Sequence, residues 1–497
     1  MEQLEEEQEA QLLPKKYAEH QAVKEQLAAR EEKLAEGAGA ICKLYCIPRN
    51  AEQCVEIQVR EGSRQVRWDW VGPNFGKVGC KYISICRSLV TPGEFYCVPY
   101  DAAHVLLVNI DEDTITEVGE KVSSDLVTKY ATAASSYDWN GRIYAAPFLA
   151  QRVLQIDPYT GTVGEVGPRL VKSEQGEWWV TIASPITLKI YAIPWDARHV
   201  MEIDPVRGGA TRKVGPDLGP TPGKYCSAIV AGDGSIFAPP YNARKILRID
   251  GTGNVSLVPP DLGVGPRKYC CMCQGANRLL YAPPLYADQV LEISTSGKGN
   301  RLIGPAIGNG EAKYACAALG PDHKIYCAPL EAHRVLLIIP EDHEVEEIGV
   351  DLGKEEEKYS CIAPAPVGPM MYAAPRNARF LLEVDTKRCF VREVGKDLGP
   401  VKRKFTAILT GKPPEAPALV RSGTAPQRGA GASWSPPSSR SKQRTPPQDQ
   451  KAVEPRSLMG VLRLCASNSM LTKSKPFKCK TARQRTMLSP MSPARPR

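Results

Sequence analysis

Seven lysines stand immediately before an aromatic residue at intervals of 44 to 48 residues, with one double interval where the unit departs as Trp178-Trp179: Lys81-Tyr82, Lys129-Tyr130, Lys224-Tyr225, Lys268-Tyr269, Lys313-Tyr314, Lys358-Tyr359 and Lys404-Phe405. Seven ammonium groups gathered on one face would attract anions. The competing reading is that each lysine lies over its neighbouring ring and solvates a loop. A residue kept in every copy of a repeat ordinarily serves the repeat, so this second reading carries more weight. A further set of cations, Arg152, Arg198, Arg244, Arg334 and Arg379, recurs just after an alanine in a second loop. These twelve cations are the candidate binding residues. Asn50, Asp101, Asp196, Asn242 and Asn377 precede that alanine, and turn formation by bonding to their own backbone is the first explanation for them.

No residues stand in a pattern that would carry catalysis. The six histidines (20, 104, 199, 323, 333, 343) are scattered, and no His-Glu-x-x-His, Gly-x-Ser-x-Gly or phosphate-binding Gly-Lys-Ser/Thr pattern occurs. Cys270-Cys271-Met272-Cys273 suggests a metal at first glance. A zinc site needs four ligands at one point, however, and alternate residues of a strand face opposite sides. Elsewhere cysteine exchanges with alanine at one repeated position: Cys46, Cys97 and Cys327 against Ala145, Ala192, Ala238, Ala282 and Ala373. It is filling a small buried slot. The reading is therefore no metal, no cofactor and no catalytic residue.

The elements that must position these residues come from a repeat. Aromatic anchors at 45, 96, 144, 191, 237, 281, 326 and 372 each open a short strand ending in proline, at intervals of 44 to 51 residues. In one unit, Cys226–Val230, Ile236–Pro239, Lys245–Asp250 and Val255–Val258 alternate with turns at 232–234 and 251–254. Four short antiparallel strands per period of roughly 45 residues predict a β-propeller. Proline inside every unit argues against a helical solenoid. The first unit lacks a good first strand, and Lys404–Leu409 is a first strand with no blade of its own. Pairing the two would close the ring and remove both sheet edges. Eight motif copies then predict eight four-stranded blades; a divergent first unit makes seven the alternative.

The Ile-Tyr-Ala-x-Pro-x-Asn-Ala-x-x-Val-Leu-x-Ile-Asp-Pro pattern over about residues 41–409 resembles tandem repeats in largely uncharacterised proteins of dinoflagellate algae. The resemblance implies a propeller and assigns no reaction. The Trp-Asp and Gly-His marks of WD repeats and the paired glycines of kelch repeats are missing. The functional expectation is a non-enzymatic platform, a common use of a propeller without a polar axial site, binding a protein or peptide through the loops of its top face, those joining second to third strands and each blade to the next. The alternatives are a hydrolase or lactonase-like propeller, and nucleic-acid or anion association through a basic tail.

The net charge of +9 over 497 residues is unevenly spread. Residues 1–36 carry −5, residues 411–497 carry +14, and 37–410 hold 42 basic and 42 acidic side chains. Three segments are expected: a charged helix over 1–36 with about two heptads, short of a coiled coil; a propeller over 37–410; and a disordered Pro/Ser-rich tail over 411–497. Apolar runs are far shorter than the ~20 residues of a membrane helix. The acidic Met1–Glu7 opening is unlike a secretion signal, which predicts a monomeric cytoplasmic chain with mostly reduced cysteines, or a nuclear one if the tail is an import signal.

Lys473, Lys475, Lys478, Lys480, Arg483 and Arg485 crowd into thirteen residues of that tail, with Phe477 the only aromatic among them. Polyanion binding there works by counterion release and lacks base stacking, so it is salt-steep and sequence-independent. Changing the six to alanine abolishes weak retention on RNA or DNA and leaves the melting temperature of the fold unchanged. Equal polyanion binding by the 37–410 fragment and the full chain would place the site on the propeller instead.

Overall fold

A computed structural model describes residues 41–60, 66–122, 127–170, 177–308 and 312–411. The helix expected within 1–36 and the tail beyond 411, with its six basic residues, lie outside the described residues. Among the described residues no helix is long and apolar enough to cross a membrane.

Thirty-two short strands form eight four-stranded antiparallel sheets, the blades of a propeller. Blade 1 is built from both ends of the fold. Phe405–Thr410 is its first strand, followed by Ile41–Pro48, Cys54–Arg60 and Val66–Val71. Blades 2 to 8 follow in chain order over 86–118, 134–166, 178–214, 229–258, 273–303, 318–348 and 363–394. The seven-blade alternative is excluded.

The closing pair runs antiparallel, with Leu44 opposite Thr410 and Cys46 opposite Ile408. Thr410 Oγ1 donates to Pro364 O of blade 8 at 2.8 Å, and Thr406 Oγ1 donates to Ile83 O on the blade 2 side at 3.1 Å. The last strand is therefore bonded within its own blade and on both flanks. Without it, the inner edge of Ile41–Pro48 would be left unpaired.

The repeat follows from burial. The second-strand anchors, seven tyrosines and Phe237, are all buried, as are the cysteine or alanine residues that follow them. A slot with no room beyond a thiol or methyl group explains that exchange. In the first strand, the hydroxyls of Tyr130, Tyr225, Tyr269 and Tyr314 donate to the backbone carbonyls of Arg152, Lys245, Gln289 and Arg334 at 3.0–3.1 Å. Blade 4 departs in sequence, with Trp178, yet its indole Nε1–H makes the equivalent bond to His199 O at 3.3 Å. Blades also pack through glycines that end fourth strands. Gly349 has φ +82°, and a Cβ there would come within 2.5 Å of Val391 in the next blade. A side chain at this position would push adjacent blades apart.

Ending the chain at residue 400 removes the closing strand, whereas ending it at 411 keeps it. The shorter fragment is expected to aggregate and melt several degrees lower than the longer one, as read by sedimentation and thermal unfolding. Indistinguishable fragments would show that closure contributes nothing.

Candidate functional site: the axial ring and the top face

The seven repeated lysines do not face solvent; all are buried. Their backbones form the inner rim of the propeller. In each blade, the residue after the second-strand proline donates its N–H to the carbonyl of the lysine that opens the blade. Examples are Tyr100 to Lys81 at 2.9 Å, Phe148 to Lys129 at 2.8 Å and Arg376 to Lys358 at 2.8 Å. The next blade's lysine then donates its own N–H back, as Lys129 to Tyr100 and Lys224 to Trp195, both at 2.8 Å, and Lys404 to Arg376 at 2.9 Å. The alternation runs from blade to blade and crosses the closure, where Arg49 N–H donates to Lys404 O at 2.8 Å. In blade 4, Glu177 takes the lysine position and accepts from Trp195 at 2.8 Å.

Five of the ammonium groups turn back onto backbone carbonyls. Lys404 Nζ donates to Val401 O at 2.9 Å and Gly399 O at 3.0 Å; Lys358 Nζ donates to Gly353 O at 2.9 Å and Glu355 O at 3.1 Å. Lys81 Nζ reaches Ala51 O and Lys224 Nζ reaches Asp196 O, each at 3.0 Å, and Lys268 Nζ donates to Gly265 O. Both readings of these lysines from sequence therefore need correction in one respect: the groups are inside the loops, where those of Lys81, Lys224, Lys268, Lys358 and Lys404 bind backbone carbonyls. Burial pushes the amines of Lys268 and Lys404 down to about 8.

The turn Asn and Asp residues also act between blades. Oδ1 of Asn50, Asp101, Asp196, Asn242 and Asn377 accepts the N–H of Cys80, Thr128, Gly223, Arg267 and Arg403, at 2.6–2.8 Å. Each acceptor lies one blade before its donor. Each donor precedes a ring lysine and has positive φ, between 51° and 62°.

Top-face arginines are matched to the Asp-Leu-Gly loops. Arg198 pairs with Asp217, Arg379 with Asp397, and Arg244 with Asp261 at 2.9 Å. His333 meets Asp351 at 3.0 Å in the same arrangement. Arg152 and Arg334 instead donate to Gly167 O at 3.2 Å and Gly349 O at 2.9 Å. The Arg198 guanidinium and the Gly219 N–H hold the Asp217 carboxyl down at about 2. These loops carry paired charge and do not form an uncompensated cationic field.

The residues missed in the sequence are those after each second-strand proline: Arg49, Tyr100, Phe148, Trp195, Tyr241, Leu285, Leu330 and Arg376. They are the variable x of the repeat, and their variability was the available signal. Tyr100 of blade 2 meets Trp179 of blade 4 with ring centroids 5.9 Å apart. That contact skips a blade and so crosses the central opening. Phe148 and Trp195 pack on Trp179 at 5.0 and 5.6 Å, and Tyr241 on Trp195 at 5.3 Å. An aromatic arc thus fills one side of the axis. On the other side stand Arg376 and Arg49, both buried. Arg376 Nε lies 3.2 Å from Glu357 Oε2, and Arg403 Nε lies 2.9 Å from the same oxygen. Burial opposes ionisation of Glu357, but the two guanidinium groups outweigh it and hold the carboxyl below its ordinary range.

Among the described residues no three His, Cys, Asp or Glu side chains gather in a way that could hold a metal. Cys270 packs in the axial cluster, Cys271 and Cys273 in a second cluster and Met272 in a third.

No family model matches the chain, and no curated protein matches it. Solved structures do. Apo AztD from Citrobacter koseri is 12% identical with a TM-score of 0.51, covering 75% of this chain and 99% of that one. The dihydro-heme d1 dehydrogenase NirN is 11% identical with a TM-score of 0.50, covering 73% and 74%. A virginiamycin B lyase from Staphylococcus aureus is 14% identical with a TM-score of 0.44, covering 59% and 92%. At these identities the likeness is one of fold alone.

Lys404→Met leaves the carbonyls of Gly399 and Val401 without their donor and lowers stability by about 1–3 kcal/mol in denaturant unfolding, whereas Arg379→Met on the open surface changes little. The Lys404 amine releases its proton at lower pH in the fold than in the unfolded chain. Between about pH 8 and 10.5 the unfolded chain therefore holds more protons, and this lysine's contribution grows more favourable. The stability difference should shift toward the wild type across that window; a constant difference would contradict the buried setting.

Proposed function

We propose that the chain is a non-enzymatic binding platform for a protein or peptide partner, and that it uses the bottom face of blades 3 and 4. The top face was the sequence expectation, but its arginines are engaged by their own loops. What supports the bottom face is exposed apolar surface on the loops joining first to second and third to fourth strands. Trp139 is 85% exposed and Tyr159 64% in blade 3, with Ile186 57% and Val206 74% in blade 4. Single exposed apolar residues need no explanation. Four large ones on the same face of adjacent blades, including a tryptophan and a tyrosine, have the character of an interaction surface.

The test is affinity capture with the full chain against Trp139→Ser/Tyr159→Ser/Val206→Ser and, as control, Arg198→Ser/Arg244→Ser. The first variant should keep its melting temperature and lose recovery of the partner by about tenfold or more. A partner lost only by the control returns the site to the top face. A stoichiometric divalent ion bound at the axis of the purified protein would overturn the non-enzymatic reading.

A further inference from the structure

The polar sector of the axis makes no contribution to that partner surface and has its own chemistry. Arg376 is 0% exposed, and while its Nε meets Glu357, both Nη1 and Nη2 are buried with no hydrogen-bond partner in the protein. Ser360, in the first strand of the same blade, is also buried, and its hydroxyl has no partner in the protein. Its position, two residues after the ring lysine, corresponds to Ile83, Ala131, Trp179, Cys226, Cys270 and Ala315, which all belong to the axial cluster. Ser360 therefore faces the axis in the layer next to Arg376.

Arg49 is the neighbour across the closing seam. It and Arg376 flank Lys404 in the rim, bonded through its carbonyl and its N–H. Proximity of the two guanidinium charges, after burial itself, pushes Arg376 down to about 10. A guanidinium buried with its terminal nitrogens unmatched is costly, because the desolvation of each N–H is uncompensated. A planar or tetrahedral oxyanion supplies the matching acceptors, and guanidinium groups bind such groups by paired N–H···O bonds.

We propose that Arg376, Arg49 and Ser360 form a binding site for a small oxyanion, a carboxylate or a phosphate, enclosed at the seam where blade 8 meets blade 1. The anion accepts the unmatched N–H groups of Arg376 and ties the last complete blade to the one made from both chain ends. Its occupancy therefore stabilises the closed ring by mass action. The aromatic arc beginning at Tyr100 bounds the site on the apolar side.

The test is equilibrium dialysis of the full chain, separately against inorganic phosphate and acetate, in sodium chloride high enough to screen the basic tail. The wild type should take up one anion per chain, saturably, with a rise in melting temperature over chloride at matched ionic strength. Arg376→Met should bind about tenfold or more weakly, as expected for loss of a charge-assisted contact. Ser360→Ala, a milder change, should fold normally and bind more weakly, and Arg379→Met should bind as the wild type does. Preference for phosphate or acetate identifies the head group. Absence of saturable uptake by the wild type, or uptake by Ser360→Ala and Arg376→Met equal to that of the wild type, would overturn the proposal.

Discussion

Two backbone hydrogen bonds per blade form the rim on which the rest of the molecule depends. One runs within the blade, from the residue after the second-strand proline to the lysine carbonyl. The other runs from that lysine's N–H to the same position one blade earlier. Such bonds add little individually, about 1 kcal/mol net, but a buried N–H left without its acceptor costs more than the bond contributes. Each blade thus completes its neighbour's accounting. An open array would leave unmatched groups at both ends, and the returning strand at Phe405–Thr410 removes that penalty.

The repeated residues follow from keeping this rim intact. A chain entering a new blade must turn sharply just before its lysine, and it does so with a positive φ. At five of these turns the N–H is taken by an Asn or Asp of the preceding blade, so the residues that shape one loop also hold the next. The ammonium group then folds back and covers carbonyls that the turn exposes. Cysteine enters for a different reason, volume. Burial raises the thiols of Cys86 and Cys361 to about 12, which disfavours the thiolate and with it reactivity.

The architecture was legible because the repeat expresses backbone requirements. Spacing, turn residues and the orphan strand at Lys404–Leu409 together imply eight blades and their closure. Cys270 to Cys273 could be read as packing because strand alternation divides neighbours between clusters. The cations were less legible. Whether Arg244 is a free charge depends on Asp261, seventeen residues on and across a loop, and whether Lys404 is exposed depends on how tightly that loop turns. Both are tertiary facts. The axis was least legible, since its residues occupy a repeat position that periodicity leaves unspecified.

That unspecified position is where the blades cease to be equivalent. The rim constrains only its backbone, so its side chain is free to differ, and five residue types share the eight positions at one axis. Six are apolar or aromatic and pack across the opening much as a core does. The two arginines are adjacent, in the blades joined by the closing strand, and share Glu357 with Arg403 through only one of them. Leucine at either position would extend the apolar packing already present at Leu285 and Leu330 without the desolvation of a cation. The polar sector is therefore not required by the fold, and the chemistry of its exposed valences, rather than the repeat, is what distinguishes this seam from the other seven.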